Sequence, residues 1–188
     1  MDGLLEDLAA VGYSVGSVSE LRDSSVRYTD AVPVLLRWLP RAETPKEKEQ
    51  IVRALSVPWA RQLALGPLIE EFIASPGDPK SESLRWAVGN GIEVLWDDAR
   101  FEELVALARD ERYGKAREMV VLGIGRSKRP EAAAVLIELL DDPVVNGHAV
   151  AAVGKLRDPR AREGLCRMTE DGRAWVRKEA KRALAKLD

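Results

Sequence analysis

One stretch, residues 149–168, constrains the fold of this chain more than any other because its pattern recurs along the sequence. Apolar residues follow helical spacing on both sides of the tripeptide Arg157-Asp158-Pro159. An aspartate at a helix start accepts hydrogen bonds from backbone N–H groups that lack a helical partner, and a following proline has no N–H to leave unpaired. The tripeptide therefore predicts that one helix ends and the next begins within about one turn, which makes this stretch an αα-hairpin.

Related units are predicted along most of the chain. Pro130 occupies the position of Pro159, 29 residues earlier, and Thr44-Pro45-Lys46-Glu47 is a capping box with proline at the first helical position. Asp30 is predicted to cap a helix that tolerates Pro33 because this proline lies in the first turn. Helices are predicted at residues 3–11, 18–22, 31–39, 45–55, 59–74, 80–95, 100–109, 114–125, 131–140, 149–156, 161–168 and 173–187.

The predicted array has an atypical beginning and one break. Residues 12–29 contain Ser, Gly and Asp at turn density and match no repeat, so residues 1–29 are predicted to form an irregular helical cap. Residues 30–188 are predicted to form the repeat array, with a mild break at the loop of residues 75–79. Gly89 and Gly91 lie inside a predicted helix, where each costs up to about 1 kcal/mol relative to alanine. A kink or a close backbone contact is the expected reason.

Two segments carry a family resemblance: AVAAVGKLRDPRAREGLCRM and the following AWVRKEAKRALAKL. They resemble the short HEAT-like repeats of phycobilin lyase subunits and of many other bacterial proteins. The similarity is strong over residues 44–187, weaker over residues 31–40 and absent before them. It implies an all-α fold, an α-solenoid in which about five HEAT-like helix pairs form a right-handed superhelix. Such repeats occur in scaffolds, lyase subunits, regulators and DNA repair enzymes, so the fold does not decide the function.

Composition narrows the class of protein. Charged residues make up 32% of the chain, yet the formal net charge is −2, which argues against a protein built wholly for nucleic acid or acidic membranes. The sequence shows no signal peptide and no segment that approaches the ~20 apolar residues of a membrane span. Cys166 is the single cysteine, which excludes an internal disulfide. A cytoplasmic protein is expected.

Few residues suggest chemistry. His148 is the only histidine, so a two-histidine metal site is excluded, and the sequence has neither a phosphate-binding loop nor a nucleophile elbow. A thiol–base pair of His148 and Cys166 is conceivable, but the repeat register aligns His148 with the polar Glu179 and Cys166 with the apolar Ile137. An exposed histidine and a small buried thiol are therefore predicted. No catalytic residue, metal or cofactor is predicted.

Two acidic pairs have the carboxylates that acid–base groups or cation ligands require. They are Asp97-Asp98 and Asp141-Asp142, and both lie at predicted helix boundaries. Helix capping explains carboxylates at such positions, so capping is the prediction for both pairs.

The predicted binding surface is a row of side chains on the second helices of the pairs. By the resemblance, second helices line the concave face of the array. Trp38 aligns there with Ala106 and three charged residues and is predicted to be an exposed anchor. The other tryptophans are predicted to pack in the core or between repeats; they are Trp59, Trp86, Trp96 and Trp175. Mixed charge in the row favours a protein partner over a polyanion. The row consists of Trp38, Arg41, Glu70, Arg109, Glu138, Asp141 and Arg167.

The function predicted from these features is a non-catalytic protein–protein interaction module, a scaffold or adaptor that binds a protein partner on its concave face. The first alternative is a nucleic-acid-binding or DNA-repair protein that uses Arg177, Lys181 and Arg182, because residues 145–188 carry eleven Lys or Arg against six Asp or Glu. The competing explanation of these cations is the solvated outer face of a capping helix. A bilin lyase-like subunit is a further alternative, supported by the resemblance alone.

Overall fold

The computed structural model describes residues 1–74 and 81–187, apart from the side chain of Asp2. The described residues form α-helices joined by turns and short 3-10 segments, and they contain no strand. The predicted loop at residues 75–79 lies outside the described residues. The helices are α1 (Asp2–Ala10), α2 (Val18–Asp23), α3 (Ala31–Trp38), α4 (Pro45–Leu55), α5 (Arg61–Ala74), α6 (Glu82–Val94), α7 (Phe101–Arg109), α8 (Arg117–Ile124), α9 (Ala132–Glu138), α10 (Asn146–Leu156), α11 (Arg162–Met168) and α12 (Ala174–Leu184).

The chain divides into two compact units, Met1–Leu95 and Trp96–Asp188. In unit 1, helices α2, α4 and α6 pack successively in a first row, and α1, α3 and α5 pack in a second row. Residues 1–29 thus supply one helix to each row. In unit 2, α8, α10 and α12 form a first row, and α7, α9 and α11 each pack against a helix of that row.

Local capping explains where several helices begin. The predicted capping box is confirmed: Thr44 Oγ1 accepts the N–H of Glu47 at 3.2 Å, and the Glu47 carboxylate accepts the N–H of Thr44 at 3.2 Å. Asp158 accepts the N–H of Arg160 at 2.9 Å, as the tripeptide predicted, and a 3-10 turn at Pro159–Ala161 precedes α11. The predicted cap at Asp30 is wrong, because its backbone is already helical and its side chain makes no capping hydrogen bond.

One glycine of α6 is explained by packing. A Cβ on Gly91 would lie 2.7 Å from Leu68 Cδ1 and 2.8 Å from Ser56 Oγ. Real Cβ atoms do not approach other atoms so closely, because packed interiors leave no room for an added methyl group. The close contact expected for this glycine is therefore present in unit 1, where α6 packs against α5.

Candidate protein-binding surfaces

In unit 2, the predicted charged residues lie at the carboxyl ends of α7, α9 and α11 and form two ion pairs. Arg109 donates through Nε and Nη2 to the Glu138 carboxylate, with Nε at 3.1 Å. Arg167 Nη2 lies 3.0 Å from Asp141 Oδ1 and pairs more loosely with Glu163. All these side chains are exposed. We call the set of Arg109, Glu138, Asp141 and Arg167 the charged ladder; the predicted mixed-charge row is thus present in this unit.

A cleft of about 500 Å³ opens beside the charged ladder. Val144 is exposed at this cleft, whereas Leu139 is buried. The cleft therefore combines several charged groups with a small apolar surface. Its lining residues are Arg109, Glu111, Arg117, Glu138, Leu139, Asp141, Asp142, Pro143 and Val144.

Arg117 is a cleft residue that the sequence reasoning missed. Its side chain is buried, and it donates to the carbonyls of Ala108 at 3.1 Å and Gly114 at 3.2 Å and to Asp142 Oδ2 at 2.7 Å. Burial alone would raise the pKa of Asp142, but the hydrogen bonds from Arg117 and from the N–H of Val144 hold this pKa below its ordinary value. The available signal was register: Arg117 precedes Val120, Val121 and Ile124 at the apolar spacing of α8.

The capping predicted for the two acidic pairs is confirmed for one aspartate of each pair, whereas Asp98 and Asp141 make other contacts. Asp97 caps the next turn through the N–H of Ala99 at 2.9 Å, and Asp142 accepts the N–H of Val144 at 2.9 Å. Asp98 accepts the indole N–H of Trp96 at 2.9 Å and the N–H of Lys128 at 2.8 Å. Among the described residues, no group of three or more His, Cys, Asp or Glu side chains is arranged to hold a metal ion.

In unit 1, Trp38 is half-buried rather than fully outward as predicted. Its indole N–H donates to Asp7 Oδ2 at 2.8 Å, and its ring lies against Gly3, so it packs α3 against α1. The hydrogen bonds from Trp38 and Arg37 lower the pKa of Asp7. Arg41 covers the ring, with its guanidinium carbon 5.6 Å from the ring centroid. Packing of Trp38 on α1 was invisible in the repeat register, because α1 follows no repeat template.

Glu70, the remaining predicted residue of unit 1, lies in a groove of about 370 Å³ between α3 and α5. We call it the unit 1 groove. Glu71 is the second carboxylate that lines this groove, and it is paired with Lys48 Nζ at 2.7 Å. The groove is lined by Leu36, Leu39, Pro40, Pro67, Glu70, Glu71 and Ala74.

The other tryptophans divide into two groups. Trp96 is buried, as predicted, and Trp59 is half-buried against Tyr28, with ring centroids 5.3 Å apart. Trp86 and Trp175 are exposed, so neither lies in the core. Trp175 still packs between repeats, because its ring lies against Gly147 of α10.

The predicted environments of His148 and Cys166 are reversed. His148 is half-buried, with its ring centroid 5.5 Å from that of Trp175, and burial together with the charge of Arg173 lowers its pKa. Cys166 is exposed on α11. The register assigned each residue to the wrong side because it compared repeats whose neighbouring side chains differ.

The outer face of α12 carries Arg177, Lys178, Lys181 and Arg182, which we call the α12 cations. They line a shallow cleft of about 460 Å³ together with Ala174 and Ala185. Arg177 donates to the carbonyls of Asp171 at 2.8 Å and Gly172 at 2.9 Å, and Arg182 pairs with Glu179 at 2.7 Å. Two of the four cations are therefore already engaged within the chain.

Comparison with known proteins supports the repeat architecture. Residues 101–186 match the family model described as HEAT repeats. A designed armadillo repeat protein has a similar structure, with a TM-score of 0.58 and 17% sequence identity over 98% of this chain and 100% of that chain. No curated protein matches the chain in sequence. At this identity the structural likeness shows the fold alone, and it confirms the predicted all-α solenoid class: the chain is a helical-repeat protein whose residues 101–186 match the HEAT-repeat model.

Proposed function

We propose that this chain is a non-catalytic protein-binding module, a scaffold or adaptor whose partner binds the second helices. The observation that carries the proposal is the charged ladder, because its exposed groups of both signs follow one another on α7, α9 and α11. A surface of mixed charge favours a partner with complementary charges over a uniformly charged polyanion. Exposed ion pairs of this kind contribute about 1 kcal/mol or less to folding, so they are free to serve recognition.

The test exchanges the charges of one ladder pair without removing the pair. Arg109→Glu combined with Glu138→Arg keeps an attractive pair within the chain but inverts the pattern offered to a partner. Capture of the native partner from a cell lysate is expected to fall at least about tenfold, because like charges then face one another across the interface. The melting temperature should stay the same.

A matched control uses the exposed pair of Arg182 and Glu179 on α12. The same exchange there, Arg182→Glu with Glu179→Arg, should leave partner capture unchanged. Equal capture by the ladder exchange and the wild-type chain would contradict the proposed use of the ladder.

Nucleic-acid binding is the second candidate, and the α12 cations are the observation that favours it. A cleft whose side chains are cations and alanines suits phosphate groups. It ranks second because intramolecular contacts hold Arg177 and Arg182, and only Lys178 and Lys181 of the α12 cations show no such contact among the described residues. No group of described residues favours the bilin lyase alternative.

A further inference from the structure

The unit 1 groove has an apolar floor that continues along α5. Pro40 and Ala74 are exposed at its edge, and Leu36 and Pro67 are half-buried in it. Leu63 precedes Pro67 by four residues and therefore lies one turn away on the same face of the helix. The side chain of Leu63 is 54% exposed. The surface is thus apolar over more than one helical turn.

The side chains that line the unit 1 groove offer hydrogen-bond acceptors and no donors. Glu71 is neutralised by Lys48, but Glu70 is exposed and has no ion-pair partner among the described residues. Pro67 lies inside α5 and has no N–H, so it cannot donate the helical hydrogen bond to the carbonyl of Leu63, four residues earlier.

We propose that the unit 1 groove binds a segment of a protein partner that carries an apolar side chain next to a lysine or arginine. The inference rests on the proposed binding function and assigns a partner chemistry to a surface separate from the charged ladder. The apolar side chain would cover the floor between α3 and α5, and the cation would pair with Glu70 and donate to the carbonyl of Leu63. A pocket of about 370 Å³ lies near the lower end of the range for ligand sites and suits one or two side chains.

Charge decides against the other occupants. An acidic peptide or a nucleic-acid phosphate would meet the Glu70 carboxylate and would find no donor among the lining side chains. A purely apolar segment would leave Glu70 and the Leu63 carbonyl without partners once water is excluded, which costs free energy for each buried unpaired group. A cation beside the apolar anchor satisfies both acceptors.

The probe is a random peptide display library selected on the full chain. The enriched peptides are expected to place Lys or Arg beside a large apolar residue. A synthetic copy of an enriched peptide should bind Glu70→Lys at least about tenfold more weakly than the wild-type chain, because the peptide cation then meets a cation. The same peptide should bind the Glu82→Lys control normally, since Glu82 is an exposed carboxylate of unit 1 on α6 that does not line the groove.

Four results would overturn the inference. They are the absence of enriched peptides, enrichment of acidic peptides, equal binding by the wild-type chain and Glu70→Lys, and self-association of the chain that Glu70→Lys abolishes. The last result would assign the groove to a second copy of this chain. Circular dichroism of Glu70→Lys establishes that the variant is folded, which is expected because the side chain is exposed.

The failure of this inference is distinguishable from the failure of the proposed use of the ladder. The ladder exchange of Arg109 and Glu138 leaves the unit 1 groove intact, so it should bind the enriched peptide like the wild-type chain. If the ladder exchange captures the native partner normally while peptide binding depends on Glu70, the ladder proposal fails and the groove inference holds. If the ladder exchange loses the partner while peptide binding ignores Glu70, the groove inference fails alone.

Discussion

The buried ion pair of Arg117 and Asp142 predicts an asymmetric response to substitution. The Arg117 side chain is 1% exposed, whereas that of Asp142 is 19% exposed. Removing the partner of a buried charge is strongly destabilising, with a cost of about 3–5 kcal/mol. We expect Asp142→Ala to lower the free energy of unfolding by about 3–4 kcal/mol. The substitution leaves the buried Arg117 guanidinium without its carboxylate and also removes the acceptor for the N–H of Val144.

Arg117→Met is expected to cost less, about 1–2 kcal/mol, because it removes the desolvated charge itself and fills most of the space with apolar atoms. The Asp142 left behind keeps some contact with water and its hydrogen bond from the backbone. The two substitutions together should therefore give a chain that is more stable than Asp142→Ala alone.

Urea unfolding followed by circular dichroism at neutral pH measures these differences. The exposed pair of Arg109 and Glu138 provides a matched control, whose double-mutant cycle should give about 1 kcal/mol or less. If Arg117→Met destabilises the Asp142→Ala chain further, the unpaired Arg117 guanidinium is not the main source of the lost free energy of unfolding, and the reasoning is refuted.

Three further outcomes are expected. Gly125→Ala should lower the free energy of unfolding by about 1–3 kcal/mol in a denaturation assay, because its Cβ would lie 2.8 Å from the backbone of Ala152, whereas Gly172→Ala, with no atom within 4 Å, should be close to neutral. The burial of His148, together with the charge of Arg173, lowers the pKa of His148, so the unfolded chain binds the proton more readily. The melting temperature should therefore decline as the pH falls below 6.5, the ordinary pKa of histidine, and His148→Gln should weaken this decline. An unchanged slope of melting temperature against pH in the variant would refute this prediction. Duplex DNA should bind no more tightly than about 100 μM at physiological salt, and submicromolar, salt-sensitive binding that is lost when the α12 cations are changed to glutamate would instead favour the nucleic-acid function.

The sequence by itself determined where most helices begin and end, because the deciding interactions lie within a few residues. The capping box at Thr44 and Glu47 and the cap of Asp158 need no distant contact, and they appear as predicted. The charged ladder was also predictable, since helical periodicity separates exposed from buried positions on α7, α9 and α11. Asp30 shows the limit of this reasoning, because a favourable residue type did not make the expected hydrogen bond.

Only the tertiary structure decided which side chains face a neighbour. Trp38 is held by Asp7, a residue of α1 that no repeat pattern connects with it. His148 is half-buried because Trp175 of α12 lies beside it, and Cys166 is exposed on α11. Arg117 of α8 forms a buried ion pair because Asp142, which follows α9, reaches its guanidinium. The burial and pairing of each of these side chains depend on which helices pack against one another. Helical period and repeat register contain no distances between helices, so they could not predict these contacts.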